Sequence, residues 1–370
     1  MANLNNVNIN RRSLLLGSLA LGVSPFVLSG CASGASSSGS AGGTVNWLTW
    51  SDHFSNDQLK KVAASSKITG GPKLFSDNAD ALLQIKQTGS QFDIVSGDAL
   101  WVKKYRQEGL IDPFQMSEIA VSNELYAEAR DFSFLKDPQG YLGYPFSWSS
   151  VQIYFNPKLV KTPPTSWESL TDPAFKGQIV AENIPTDLLA IGGLATGSKE
   201  PYALKGDGLT RAADFLKALK PNVIKLASQN NEIISMLASG EAAIGISNLG
   251  TDLRVKAAGG PQIEAAYPRE GTIGFIDAEM ITSKGANQKL VRPFLNAMET
   301  SEYIVENFKT NGRPLFNEKA AKILLNDPKT AQDAKRLFMG NPEKALAMTL
   351  KGPAENQQSY TEAFNQIFGA

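Results

Sequence analysis

From Thr44 onward the chain alternates short apolar runs with segments whose apolar residues recur at helical spacing, and this alternation restricts the fold more than any other feature. Val45–Thr49 reads as a buried strand and Asn56–Ser65 as a helix after it. Phe92-Asp93-Ile94-Val95 reads as a second strand, followed by a helix over Ala99–Glu108 that ends at Gly109. Leu209, Ala213, Leu216 and Lys220 share one helical face with Ala212, Phe215 and Leu219 alongside, and Pro221 stops the helix. Glu232–Ala238 repeats the pattern, and Ser239-Gly240-Glu241 turns into a strand over Ala242–Ile246. Alternation of this kind predicts an α/β fold of parallel strands with helices on both faces. The length, 370 residues, suits two domains at roughly 100–200 residues each. Two extended runs, Val151–Phe155 and Ala278–Thr282, read as crossings between the domains and therefore as hinges. Ligand clefts favour such a boundary, at the carboxyl ends of the strands.

The side-chain inventory excludes much chemistry. Lys and Arg number 36, as do Asp and Glu, which argues against nucleic acid as the main partner. One cysteine excludes a disulfide framework and a cysteine-based zinc site, and one histidine excludes a multi-histidine metal centre. There is no G-x-S-x-G elbow, H-E-x-x-H helix, P-loop or dinucleotide fingerprint. Ser133-Phe134-Leu135-Lys136 and Ser76-Asp77-Asn78 spell S-x-x-K and S-D-N in the wrong order for a penicillin-recognising enzyme, with no K-T-G after them. His53 has neither a nucleophile nor a second histidine to work with, so it reads as an imidazole at a cleft rim or on the surface. No catalytic residue, metal or cofactor is expected.

The N-terminus reads as an export address. Arg11-Arg12 precedes a 15-residue apolar run, Leu14–Leu28, shorter than the ~20 residues of a membrane span. The arginine pair resembles a twin-arginine signal, and Leu28-Ser29-Gly30-Cys31 resembles a lipobox whose cysteine is lipidated. Cys31 is the only cysteine in the chain, which sharpens that reading. Loss of residues 1–30 leaves 34 basic against 36 acidic groups. Residues 31–43 are then a lipidated cysteine and an Ala/Ser/Gly tether too poor in apolar surface to order itself. A lipid-anchored periplasmic protein is the expected result.

Several residue groups, in order and spacing, resemble the periplasmic spermidine/putrescine-binding proteins, the solute-binding components of ABC importers. They are Val45–Trp50 with Ser51-Asp52; Asp93-Ile94-Val95 with Arg106–Ile111; and Gly143–Trp148. Thr165–Leu170 with Phe175-Lys176-Gly177, Gly240–Gly245, and Tyr267–Gly271 with Phe275-Ile276-Asp277 complete the series. The resemblance spans Thr44 to the C-terminus. It implies a two-lobe clamshell of the type II periplasmic-binding-protein class, each lobe a sheet flanked by helices, with the ligand between the lobes. The implied division is 44–150 plus 278–312 for lobe 1 and 151–277 plus 313–370 for lobe 2.

The resemblance also implies a site in which rings hold a methylene chain and carboxylates hold its ammonium ends. The family tryptophan is kept as Trp50, beside Ser51, and the family aromatic-x-Asp pair as Phe275 and Asp277. Of two family acids the second is kept as Asp187, while the first falls on Ile184. Other positions depart as well: His53 replaces a tyrosine, Asp98-Ala99-Leu100 replaces Ser, Thr and Tyr, Asn248 replaces a tryptophan, and Arg313 replaces a tyrosine. Asp277 is the expected partner of a ligand ammonium, with Asp98 standing in for the lost acid. Trp47 and Trp167 are assigned to the core, while Trp101 and Trp148 remain open. The expected ligand is polyamine-like, the expected partners are permease subunits and the membrane through the anchor, and a monomer is expected. An alternative is an anionic or zwitterionic ligand, such as a carboxylate or phosphonate, held by Arg313. A more distant one is a secreted enzyme loaded with cofactor before export.

Overall fold

The computed structural model describes residues 42–369. The export signal, the lipobox with Cys31 and most of the tether lie outside the described residues. No described helix is long and apolar enough to cross a membrane.

Two units of the same winding are built in turn. In the first, strand Gly43–Thr49 leads through helix Asn56–Ser66 to strand Ile68–Leu74, then through helix Asn78–Thr88 to strand Ile94–Asp98. The first strand lies in the middle, parallel to both others. In the second, strand Ile179–Glu182 is central and parallel to Val223–Ala227 and Ile244–Asn248. The chain reverses its winding direction after each central strand, and that reversal leaves a crevice at the carboxyl ends. Strands Tyr144–Phe155 and Ile273–Ile281 join the two units side by side, antiparallel to each other and to Ile244–Asn248 and Ile94–Asp98 respectively. The sheets are therefore mixed rather than parallel throughout, because a strand that returns between lobes must run backwards. All twelve residues of Tyr144–Phe155 and all nine of Ile273–Ile281 are buried, as expected of strands covered on both faces.

The crossings are placed differently from the sequence expectation. Val151–Phe155 pairs wholly within the second lobe's ladder, and Ala278–Ile281 within the first lobe's. The passage between ladders centres instead on Ser149–Ser150 and Gly274–Asp277. The pairing register shifts between Ile276 and Ala278, opposite Pro145, which has no N–H to give. Such an irregularity re-aims a side chain, here Asp277.

Two main cores follow from this layout. Trp47, Phe146, Phe294 and Phe316 belong to the first, and Trp167, Leu188, Phe215 and Tyr360 to the second. The expected boundary at residue 313 needs correction. Leu315, Phe316, Leu324, Leu337 and Met339 all pack into the first core, because helix Glu318–Asn326 follows helix Ser301–Asn311 by a short link and stays beside it. Only Ala354 and helix Gln357–Phe368 return to the second core. Trp148 is also core, stacked 6.1 Å from the Phe338 ring.

Local signals hold the elements in place. Ser55 caps helix Asn56–Ser66 by accepting from the Gln58 N–H, and Leu59 and Val62 form its buried face. Helix Asp207–Leu219 buries Ala212, Phe215, Leu216 and Leu219, and a 3₁₀ turn containing Pro221 closes it. The stretch Ala99–Glu108 begins as a 3₁₀ turn, Ala99–Trp101, before helix Val102–Gln107. Strand Ile94–Asp98 starts two residues later than Phe92, which carries Asp98 to its carboxyl end.

Candidate ligand-binding cleft

The carboxyl ends of the parallel strands in both lobes open into one cavity of about 200 Å3. The first lobe contributes Trp50, Ser51 and Asp52 after its central strand, Asp77 and Asn78 after its second, and Asp98 as the last residue of its third. The second contributes Glu182 at the end of its central strand, Asp187 in the first turn of helix Pro185–Ala195, Asn230, and Asn248 at the end of Ile244–Asn248. Phe275 and Asp277 enter from the crossing strand, and Arg313 from the loop after helix Ser301–Asn311. The eight residues expected from sequence, Trp50, Ser51, Asp98, Asp187, Asn248, Phe275, Asp277 and Arg313, thus come together around one space. Trp101, left open by the sequence, lines it as well. Gln229 donates from the second lobe to the Phe75 carbonyl of the first at 2.8 Å.

Beside the cavity lies a chain of buried charges. Asp52 receives Nη1 of Arg254 at 3.0 Å and Nη2 of Arg313 at 2.9 Å. Burial pushes the Asp52 carboxyl up, but the two guanidinium groups hold it below its ordinary value. Both arginines reach this point because two glycines touch. Gly250, with φ of 81°, precedes the helix that carries Arg254, and a Cβ there would lie 1.9 Å from the Gly312 oxygen. Gly312 in turn caps helix Ser301–Asn311 just before Arg313. Nη1 of Arg313 donates to Asp277 Oδ2 at 2.9 Å, and Ser147 Oγ donates to the same oxygen at 2.9 Å.

His53 is neither at the rim nor on the surface; it is fully buried. Its Nε2 lies 3.0 Å from Asp277 Oδ2 and its Nδ1 3.1 Å from Glu279 Oε1. Both ring nitrogens face carboxylate oxygens, so only the doubly protonated imidazolium donates to both. Burial pulls its pKa down, but Asp277 and Glu279 outweigh burial and push it up to about 9. Glu279 also accepts from Trp47 Nε1 at 2.9 Å, which ties the chain to the first core.

A second charge pair forms beside the Phe275 ring. Lys351 Nζ lies 2.6 Å from Asp187 Oδ2 and 4.9 Å from the centre of the Phe275 ring. The Tyr202 hydroxyl donates to the other Asp187 oxygen at 2.8 Å. Burial pulls the Lys351 ammonium pKa down, yet Asp187, Asp98 and Glu182 together raise it above the ordinary lysine value.

Six carboxylates line the cavity against two basic side chains, Arg313 and Lys351. Asp52, Asp187 and Asp277 are ion-paired as described. Asp77, Asp98 and Glu182 are not, and burial pushes all three above their ordinary values. Asp98 is raised furthest: it stands directly opposite Asp277 in the strand pairing, so a like charge adds to burial, and Lys351 only partly offsets this. Glu182 accepts from Asn230 Nδ2 at 3.0 Å. Four buried side-chain oxygens on the lining, from Asn230, Asn248, Asp277 and Gln357, lack a hydrogen-bond partner, against one nitrogen, Nε of Arg313. The cavity is therefore an acceptor-rich space suited to a ligand that is mostly donor.

Reasoning from sequence passed over Glu182, Asp77 and Lys351. Glu182 has a local signal, an acid closing the apolar run Ile179-Val180-Ala181. Asp77 lay within the Ser-Asp-Asn match that catalysis could not use. Lys351 has no local signal, since the two-residue strand Thr349–Leu350 brings it beside Gly274 only through tertiary pairing.

Residues 90–335 match a family described as bacterial extracellular solute-binding protein. A spermidine/putrescine-binding periplasmic protein of Salmonella typhimurium is 24% identical over 345 residues, covering 90% of this chain and 92% of the relative. Among solved structures, the spermidine/putrescine ABC transporter substrate-binding protein PotD of Streptococcus pneumoniae matches with a TM-score of 0.67 at 21% identity. That match covers 88% of this chain and 97% of the other. The periplasmic binding protein MotA of A. tumefaciens, solved with glucopine, matches with a TM-score of 0.70 at 16% identity, over 88% and 99%. The fold is thus the type II periplasmic-binding-protein clamshell, and it is shared by proteins of chemically different ligands. With two similarly wound lobes, a pair of crossing strands and a cavity at the strand ends, the chain belongs to the bacterial extracellular solute-binding proteins.

Proposed function

We propose that the protein captures a linear, polyamine-like cation in this cavity and delivers it to the permease subunits of an ABC importer. It works as a monomer in the periplasm, held at a membrane by a lipid on Cys31. One observation carries the ligand class: the cavity's basic side chains are already ion-paired, while Asp77, Asp98 and Glu182 are not. A buried charge is tolerated only with a partner, and an ammonium supplies three donors and no acceptor. Trp50, Trp101 and Phe275 offer rings to the methylene stem, and an ammonium over such a face gains ~0.5–2 kcal/mol. The role first expected of Asp277 passes to these unpaired acids. Its Oδ2 is engaged by His53, Arg313 and Ser147, and only Oδ1 is without a partner.

An anion held by Arg313 finds less support, because it would have to displace Asp52 or Asp277 from the terminal nitrogens. The test is a thermal-shift and calorimetric screen of the purified protein against putrescine, spermidine, amino acids and phosphonates. A ligand at ~100 times its dissociation constant adds ~2.7 kcal/mol of stability. A midpoint raised by anions alone would overturn the proposal.

A further inference from the structure

Lys351 sits where a ligand's ammonium would be expected. Its nitrogen contacts Asp187 at 2.6 Å, lies 4.9 Å from the Phe275 ring centre and is almost wholly buried. Ring and carboxylate together are what a free alkylammonium requires when it leaves water. The lysine stem is itself a four-carbon chain ending in an ammonium, so chemically it resembles one arm of a polyamine. Its backbone is fixed, with the N–H donating to the Gly274 carbonyl at 2.6 Å. The side chain therefore enters the cavity from a rigid point beside the crossing strand.

We infer that Lys351 is a tethered ammonium that fills one cation subsite of the cavity, so that the protein selects ligands with one charge fewer than its acids could otherwise hold. This rests on the cationic reading above and names the residue that sets ligand length and charge within it. With Lys351 in place, the acids left for the ligand are Asp77, Asp98 and Glu182, on the same cavity as Trp50 and Trp101. An ammonium at the far end of a longer ligand, directed at Asp187, meets the lysine charge instead of a vacant carboxylate. Substituting Lys351 by an uncharged residue of similar length releases Asp187 as an added acceptor.

The experiment measures putrescine and spermidine affinities by calorimetry for the wild type, Lys351→Met, and Lys351→Met combined with Asp187→Asn. Far-ultraviolet circular dichroism and a thermal melt check that each variant is folded, and Lys351→Arg keeps the charge as a control. Lys351→Met is expected to raise the affinity for the triamine relative to the diamine at least tenfold. Removing Asp187 as well should abolish that gain, and Lys351→Arg should keep the wild-type ratio. An unchanged ratio in Lys351→Met, or equal weakening of both amines, would overturn the inference and leave the lysine a structural partner of Asp187. If the wild type binds neither amine but binds an anion, the cationic reading itself fails. Loss of anion binding in Lys351→Met would then make the lysine an anion anchor.

Discussion

His53→Gln is the substitution for which the structure gives the clearest magnitude. The imidazole is fully buried between Asp277 and Glu279, with the Phe146 ring tilted against it 4.8 Å away and Trp47 beyond it. Its pKa rises from 6.5 to about 9 on folding. That rise corresponds to about 3 kcal/mol of folding free energy, because the folded state binds this proton more tightly than the unfolded one. The sign follows directly. The contribution is complete below the unfolded value of 6.5 and disappears as pH climbs through about 9. Urea unfolding of wild type and His53→Gln, from about pH 6 to about pH 10, isolates the effect. Lysines and tyrosines titrate in the same alkaline range, but they do so in both proteins and cancel in the difference. The gap should narrow by about 3 kcal/mol from the acid end to the alkaline end. Parallel curves across the range would show that the imidazole is not held as a cation, and the account of Asp277 as an internally paired carboxylate would fall with it.

Asp98→Asn should weaken binding of a cationic ligand at least tenfold, since stranding one member of a buried charge pair costs ~2–5 kcal/mol. The same change should leave the ligand-free melting temperature equal or higher, because an acid whose pKa is raised by burial costs stability when ionised; an unchanged affinity would remove Asp98 from the site. Cation binding should tighten as pH rises above the ordinary carboxylate value of 3.8 and release protons, because Asp98 and Asp77 must ionise to pair. Calorimetry in buffers of different ionisation enthalpy reads that release, and its absence would count against both acids. Solution scattering should show compaction with saturating ligand, and an unchanged radius would leave binding without a closure signal. Cys31→Ser should free the protein from the membrane fraction, and an unmodified, wholly soluble wild type would refute lipidation.

What the sequence makes legible is what local chemistry decides. The first strand and helix are found to within two residues because Ser55 caps the helix and the apolar spacing changes period there. Phe275 and Asp277 can be placed in the cleft through the resemblance to the polyamine-binding family, and strand alternation adds that the two side chains project to one side. What escapes depends on partners far along the chain. His53 looks like a solvent-facing imidazole until Asp277 and Glu279, more than two hundred positions away, enclose it. Arg313 looks like a free charge until Asp52 and Asp277 take both terminal nitrogens. Lys351 belongs to a stretch with no strong pattern, and a two-residue strand pairing places it. The hinge positions slip by a few residues for a related reason: an extended run shows where a strand is, not which ladder its ends join.

The charge chain bears on how closing of the lobes would be read as a signal. His53 and Arg313 both bond to Asp277 of the crossing strand, so this part of the charge chain does not depend on a contact between the lobes. The polar contacts that join lobe to lobe include Arg254 with Asp52, Arg336 with Asp252, and Gln229 with the Phe75 carbonyl. A buried pair of this kind gives back much of its Coulomb gain as desolvation, so it adds little net preference for the closed form. The preference has to come from the ligand, and only from contacts absent when the lobes are apart. An amine that satisfies Asp98 alone touches one lobe, binds open and closed forms equally, and shifts nothing however tightly it is held. A ligand with a second ammonium can reach Glu182 or Asn230 on the other lobe while the first remains on Asp98. Its second charge is neutralised only in the closed form. If the ligand is the proposed polyamine-like cation, the separation of the acids between the two lobes makes the number and spacing of its charges, rather than affinity alone, the quantity that closure would report to a permease.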